Sequence, residues 1–327
     1  MIETRHADGR RRRTGPLAST LGVDDFARLF GVEPRTLSPA LRDRIAAHDF
    51  RHRVLDDAAQ LALAEDIVAR VDAGTFSVAG PDAKARWDHG WGENLAALRA
   101  SAGDPGALRP RYIRDAQPVR LFRRWAVPAD AAFEARWYEV FRDWLATTYL
   151  ADADAIFEFG CGSGHNVAAF AERFPEKRLV GLDWTAASLD ILAELAWRHG
   201  WKVEGQLFDF FHPNRALVLP PRAVVLTIGA LEQTGTRWEA FLDWLLAARP
   251  MRVVMIEPIV EWYDADDPVD RAAIRFHAAR NYWRGFPAKL AALEKAGRVE
   301  VIARKRSYFG SLYIEGYSQL VWRPVGG

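Results

Sequence analysis

From residue 155 onward, short apolar runs alternate with stretches of helical period. The runs at 155–160, 178–183, 203–209, 223–229 and 252–257 have the length and composition of buried strands. Between them, 165–174, 186–199 and 236–248 repeat their apolar positions with helical spacing. A strand–helix–strand series predicts a parallel sheet with helices on both faces. A further helical segment, 268–297, is interrupted at Gly285–Pro287. It leads to strands at 299–307 and 317–324, which no helix joins, so the pattern predicts that they pair as an antiparallel hairpin.

Before residue 151 the pattern is helical. Asp24 and Asp25 open a short helix through Phe26, Leu29 and Phe30. Residues 39–73 carry Leu41, Ile45, Val54, Leu61, Ile67 and Val71 at helical spacing and end at Gly74. Residues 81–100 place Trp87, Trp91, Leu95 and Leu98 on another helix, and 130–149 form an amphipathic one with Phe133, Trp137, Phe141, Trp144 and Leu145 on one stripe. The segment 103–130, with four prolines, reads as an irregular or extended connection. The expected organisation is an all-helical N-terminal domain over 19–150 and an α/β domain over 151–327.

Composition narrows the class. With a net charge of +1 and half of its 327 residues apolar, the chain has no global field that favours nucleic acid or a membrane surface. No apolar stretch is long enough to span a bilayer. The lone cysteine, Cys161, excludes an internal disulfide and a cysteine-cluster metal site, and a cytoplasmic setting fits. Arg10–Arg13 are followed by no apolar run, so residues 1–18 are expected to be a disordered basic tail rather than a signal peptide. The 13 tryptophans supply large rigid faces suited to cores and to ligand pockets.

The chemistry concentrates where the first strand ends. Ile156, Phe157 and Phe159 run into glycines at 160, 162 and 164, with Glu158 just before them and His165 just after. Glycines at this spacing allow a sharp turn and close approach of a ligand. A strand, a glycine turn and a helix start together make a nucleotide-type cofactor site. A dinucleotide fingerprint needs its third glycine where His165 stands, and a carboxylate such as Glu158 would repel a pyrophosphate.

Residues 151–327 resemble a class I, Rossmann-like S-adenosylmethionine (SAM)-dependent methyltransferase. The likeness rests on Glu158-Phe-Gly160-Cys-Gly162-Ser-Gly164, on Asp183 closing Leu-Val-Gly-Leu-Asp, on Asp209 in Gln-Leu-Phe-Asp-Phe-Phe, and on the closing pair of strands. It implies a seven-stranded, mostly parallel sheet with an antiparallel last strand, and SAM as cofactor. It also implies a binding set of Glu158, Gly160, Gly162, Gly164, Asp183, Trp184, Asp209, Phe210 and Gly229. In that set Asp183 accepts two hydrogen bonds from the ribose hydroxyls and Trp184 packs on the adenine. Asp209 accepts from the adenine amino group, and Glu158 attracts the cationic methionine end.

Ligands of such sheets bind beyond the carboxyl ends of the strands. That points to Gly229–Gln233 after the fourth strand and to Glu257–Tyr263 after the fifth. Glu232 and Gln233 either line the site or cap the next helix. Glu257 is either a catalytic carboxylate or one satisfied by backbone donors. Asp264, Asp266, Asp267 and Asp270 have the oxygens a hard cation wants. Asp267-Pro-Val-Asp270 is better read as a helix cap with proline in the first turn, and no metal is expected. His277, Arg280 and Arg284 share one helix face, which is either solvated or turned to an acceptor.

The candidate acceptor-binding residues are Glu232, Trp262, Tyr263, Arg280 and Arg284. The candidate bases are His277, Glu257 and His165, with His89, between Trp87 and Trp91, as a further histidine able to close the pocket. The expected activity is methyl transfer by in-line displacement to an oxygen or nitrogen of a small natural-product, sugar-like or amino-acid-like acceptor. The alternatives are a protein or RNA methyltransferase and a non-catalytic SAM-binding protein. Nucleic acid is disfavoured by the absence of the Asn/Asp-Pro-Pro-Tyr/Phe signature, since the fourth strand ends in Thr-Ile-Gly-Ala-Leu. A homodimer is compatible with the sequence.

Overall fold

The computed structural model describes residues 19–325. The basic tail expected over 1–18 lies outside the described residues. The strands are β1 (Ser19–Thr20), β2 (Arg51–Val54), β3 (Val119–Leu121), β4 (Arg124–Pro128), β5 (Ala155–Phe159), β6 (Arg178–Asp183), β7 (Val203–Leu207), β8 (Ala223–Ile228), β9 (Arg252–Glu257), β10 (Val299–Lys305), β11 (Phe309–Gly310) and β12 (Ser318–Pro324). The α-helices are α1 (Val23–Phe30), α2 (Pro39–Ala47), α3 (Asp57–Asp72), α4 (Lys84–Ala100), α5 (Phe133–Leu145), α6 (His165–Arg173), α7 (Ala186–His199), α8 (Glu239–Ala248), α9 (Pro268–Arg280) and α10 (Phe286–Lys295).

The large sheet runs β7-β6-β5-β8-β9-β12-β10. Strands β5 to β9 pair in parallel, and β12 lies antiparallel between β9 and β10. The chain steps outward from β5 to β7, then returns to the other side of β5 for β8 and β9. That reversal opens a crevice at the carboxyl ends of β5 and β8. The strand pattern explains why both faces are covered. In β5, Ala155, Phe157 and Phe159 pack with α8 and α10, whereas Ile156 packs with α5, α6 and α7.

The first 150 residues are not all helical. Strands β1 to β4 form a second sheet, ordered β1-β2-β4-β3-β11, whose last strand comes from the other end of the chain. Phe309 pairs with Leu121 and Gly310 with Arg120. These strands are two to five residues long, too short for a period of two to stand out among helices. The stripe on α5 shares one core with Ile156, Val254 and Val321 of the large sheet and with α1 and β11 of the other part. Trp137 stacks on Phe309 at 3.9 Å between ring centres, and Phe30 stacks on Trp144 at 4.7 Å.

A buried ionic cluster ties the same parts together. Arg120 of β3 and Arg306 after β10 both donate to Asp270 Oδ1 of α9, at 2.7 and 2.6 Å. Arg306 also grips Glu315 at 2.6 and 3.0 Å. Among the described residues no helix is long and apolar enough to cross a membrane.

Candidate active site

The glycine turn follows β5 directly. Gly160, Gly162 and Gly164 have φ of 71°, 52° and 71°, backbone that favours glycine. Space is as restrictive as angle: a Cβ on Gly160 would strike Ala230, and one on Gly162 would sit 2.7 Å from Trp91 Cζ2. The turn is held by β6, since Leu182 O accepts from the amides of Gly160 and Cys161 at 2.6 and 3.1 Å.

Around it lies a cavity with about 560 Å³ of open space, lined by Gly160, Asp183, Trp184, Phe210, Gly229 and Gln233, among others. Asp183 is buried with its carboxylate largely committed: Oδ1 accepts from Thr185 N at 3.0 Å and Thr185 Oγ1 at 2.8 Å, and Oδ2 from Gly162 N at 3.0 Å. A carboxylate has about four acceptor positions, so one remains for a ligand rather than the two expected for ribose. Burial raises its pKa.

Glu158 stands behind the turn, 2% exposed. Its Oε1 accepts from Asn166 Nδ2 at 2.8 Å, and Asn166 Oδ1 accepts from Tyr138 OH at 2.6 Å. Oε2 is buried without a partner. Burial pushes this carboxyl up to about 8. The folded pKa lies above the unfolded one, so unfolding releases a proton between the usual carboxyl range and pH 8. This group therefore favours the folded state less as pH rises through that window. Glu158→Gln keeps the size and removes the titration. Relative to the parent, its melting temperature is expected to rise progressively from pH 5 to pH 8.5 in thermal unfolding scans; a constant difference would show that Glu158 is not buried as a strained acid.

A second cleft, with about 1150 Å³ of open space, opens beside the first and shares Trp87, Gly229 and Gln233 with it. Its walls come from α5 (Glu134, Tyr138), from the loop carrying Tyr112 and Gln117, from α9 (Phe276, Arg280), and from the segment of Tyr313 and Tyr317. Glu232 and Tyr282 also border it. Glu232 is buried, its Oε1 accepts from Gln233 Nε2 at 2.9 Å, and burial raises its pKa. Glu134 accepts from Gln117 Nε2 at 2.8 Å and Tyr317 OH at 3.1 Å, and burial pushes it up to about 7.

Not every expected site residue meets these cavities. Asp209 turns its carboxylate to Phe211 N at 2.8 Å and to the His212 ring at 3.0 Å, and it is absent from the cavity wall formed by its neighbours Phe208, Phe210 and Phe211. Glu257 lines neither cavity. It accepts from the amides of Ala230, Leu231 and Glu232 at 3.1–3.3 Å, which makes it the anchor of the loop after β8. His277 is buried between Tyr263 and Tyr282, and both its ring nitrogens lack partners. His165 stacks near Tyr138 at the start of α6. Both histidines lie outside the cavity walls, and burial pushes each down to about 3, where it stays neutral.

Tyr263 OH accepts from Glu315 N at 3.0 Å, Trp262 O accepts from Arg306, and Arg284 is exposed; none of the three lines a cavity. His89 points to solvent. Asp267 caps α9, accepting from Val269 N and Asp270 N at 2.9 and 3.0 Å. The wall residues that the motifs did not mark include Trp87, Trp91, Glu134, Tyr138 and Tyr317. The abundance of tryptophan and the place of His89 between Trp87 and Trp91 hinted at the first two.

No protein-family model matches the chain. A 48-residue stretch is 44% identical to the trans-aconitate 2-methyltransferase of Azoarcus sp. (strain BH72), covering 15% of this chain and 19% of that protein. The chain resembles the class I SAM-dependent methyltransferases. Solved structures of similar fold include an O-methyltransferase family 2 protein from Planctomyces limnophilus in complex with apigenin, at 15% identity over 56% of this chain and 55% of that one, TM-score 0.39. Human N-acetylserotonin methyltransferase in complex with SAM is 10% identical over 59% and 55%, TM-score 0.39. An rRNA methylase from Escherichia coli is 13% identical over 72% and 76%, TM-score 0.43. Overlaps this loose do not bear on what the chain acts on.

Proposed function

We propose that this protein is a SAM-dependent methyltransferase that acts on an oxygen or nitrogen of a small molecule. One observation carries the reading: a cavity at the glycine turn and the sheet's reversal point lies beside an aromatic cleft, and the two share Trp87, Gly229 and Gln233. A donor and an acceptor bound side by side would meet there.

The residues of the first cavity fit SAM. Asp183 keeps one acceptor position for a ribose hydroxyl. Trp184, Phe210 and Phe211 offer rings to the adenine. Glu158, behind the turn and outside the cavity wall, keeps Oε2 unpartnered; neutral while the site is empty, it would ionise on meeting a cationic amino-acid end. Bound there, SAM would supply a methyl group on a sulfonium, open to in-line attack. The protein's own part is to hold the acceptor aligned and to exclude water with Trp87, Trp91 and the tyrosines of the cleft. Glu232, at the shared end and with a raised pKa, is the wall carboxylate best suited to take the acceptor's proton.

The test uses SAM labelled in its methyl group, incubated with the protein and with cell extract separated into small-molecule, protein and RNA fractions. Label is expected in the small-molecule fraction. Label in protein or RNA alone would favour a macromolecular acceptor. Binding of S-adenosylhomocysteine without transfer to any fraction would favour a non-catalytic binder.

A further inference from the structure

Among the buried carboxylates, Asp183, Glu158 and Glu257 are held by neutral donors at the glycine turn and the loop after β8, and the other four divide by whether a guanidinium meets them. Asp270 and Glu315, both fully buried, are gripped by the guanidinium groups of Arg120 and Arg306. Glu134 and Glu232, 3% and 8% exposed, have hydrogen bonds from neutral groups only: Gln117 and Tyr317 for the first, Gln233 for the second. Among the described residues, neither has a Lys, Arg or His nitrogen within 4.0 Å. An ionised carboxylate buried without a counter-charge is strongly disfavoured, whereas one that meets a cation recovers most of that cost.

Both carboxylates border the same cleft, and so do the buried rings of Tyr138 and Tyr317 and the half-exposed ring of Tyr112. Aromatic faces attract cations, most strongly where water is excluded. Gln233, on the wall shared with the cofactor cavity, keeps Oε1 buried and without a partner, an acceptor still needing an N–H or O–H. The cleft's own cations stand elsewhere. Arg280 gives a guanidinium nitrogen to Ser77 Oγ at 2.5 Å and exerts its field on Glu232, while Arg114 is exposed on the rim. No arginine contributes to the shift at Glu134, which burial alone raises.

We propose that the cleft takes a molecule bearing a protonated amine, held by the carboxylate of Glu134 and by the rings of Tyr112, Tyr138 and Tyr317. The inference deepens the methyltransferase reading, and rests on it, only in making this amine part of the acceptor. It predicts a cationic group as the element of recognition.

The test compares phenethylamine, 2-phenylethanol and phenylacetate, three probes of similar size that are cationic, neutral and anionic at pH 8. Their binding to the full chain is measured by ligand-observed NMR, with and without S-adenosylhomocysteine. Phenethylamine is expected to bind at least tenfold more tightly than either of the others. In Glu134→Gln, which keeps both hydrogen-bonding positions occupied, that preference is expected to vanish while affinity for S-adenosylhomocysteine is unchanged. Equal binding of the three probes, a preference for phenylacetate, no binding of phenethylamine, or a preference that survives Glu134→Gln would each overturn the proposal. The comparison on the parent protein needs no variant, so a variant that fails to fold does not rescue it. If phenethylamine is preferred but S-adenosylhomocysteine does not bind, the amine site stands and the methyltransferase reading falls; the converse result separates them the other way.

Discussion

Asp270→Ala is expected to lower the stability of the fold by about 3–5 kcal/mol, among the largest losses a single substitution can cause. The reason is what the change leaves behind. Arg120 is fully buried, and its guanidinium and that of Arg306 converge on Asp270 Oδ1. Removing the carboxylate strands positive charge in the interior, with Glu315 alone to balance two arginines. The segments released are distant in sequence: β3, the start of α9 and the loop between β10 and β12. Urea unfolding followed by tryptophan fluorescence measures the loss. Arg323→Ala is the control, because Arg323 pairs with Glu300 on the exposed face of β12 and β10, and its removal should cost about 1 kcal/mol or less. A loss at Asp270 no greater than the control would show that the cluster does not hold these segments together.

The second large effect is on cofactor affinity. Asp183→Ala is expected to weaken S-adenosylhomocysteine binding by about 100-fold. One hydrogen bond to a charged acceptor contributes about 1.5–3 kcal/mol, which corresponds to between about tenfold and 150-fold. The carboxylate also fixes the turn through Gly162 N, so its loss loosens the backbone that must approach the ligand. Thr185→Ala is the informative companion. It removes a donor to Oδ1 without touching Oδ2, and its effect should be several-fold smaller. If the two variants bind equally well, Asp183 does not contact the ligand directly. Melting temperatures of both apo variants distinguish a lost contact from a collapsed site.

The large sheet was legible because its central strands β5, β6, β8 and β9 are apolar runs bounded by turn residues, and β5 to β9 fall within two residues of the expected ranges. The glycine turn was legible for a related reason: a positive φ at three alternate positions leaves a trace in residue type. The second sheet left no such trace, since β1 and β11 are two residues each and β11 pairs with β3 from the far end of the chain. The acceptor side was harder still. Glu134 reads as an ordinary acid in the first turn of a helix, and its partners Gln117 and Tyr317 lie 17 and 183 residues away. The rule that ligands sit beyond strand ends located the loop after β9 but not the direction of its side chains. Tyr263 turns its ring to Arg306 and its hydroxyl to Glu315 N, and Trp262 packs on the core around β9 and α10 instead of the cleft. His277 shares a helix with Arg280, yet one side chain borders the cleft and the other is sealed behind it.

The central claim is that the cavity at the glycine turn is a SAM site. Calorimetric titration of the full chain with S-adenosylhomocysteine, and separately with NAD, tests it most directly. The account predicts one binding event per chain for S-adenosylhomocysteine, weakened in Asp183→Ala, and none for NAD. Binding of NAD with no heat from S-adenosylhomocysteine would contradict it.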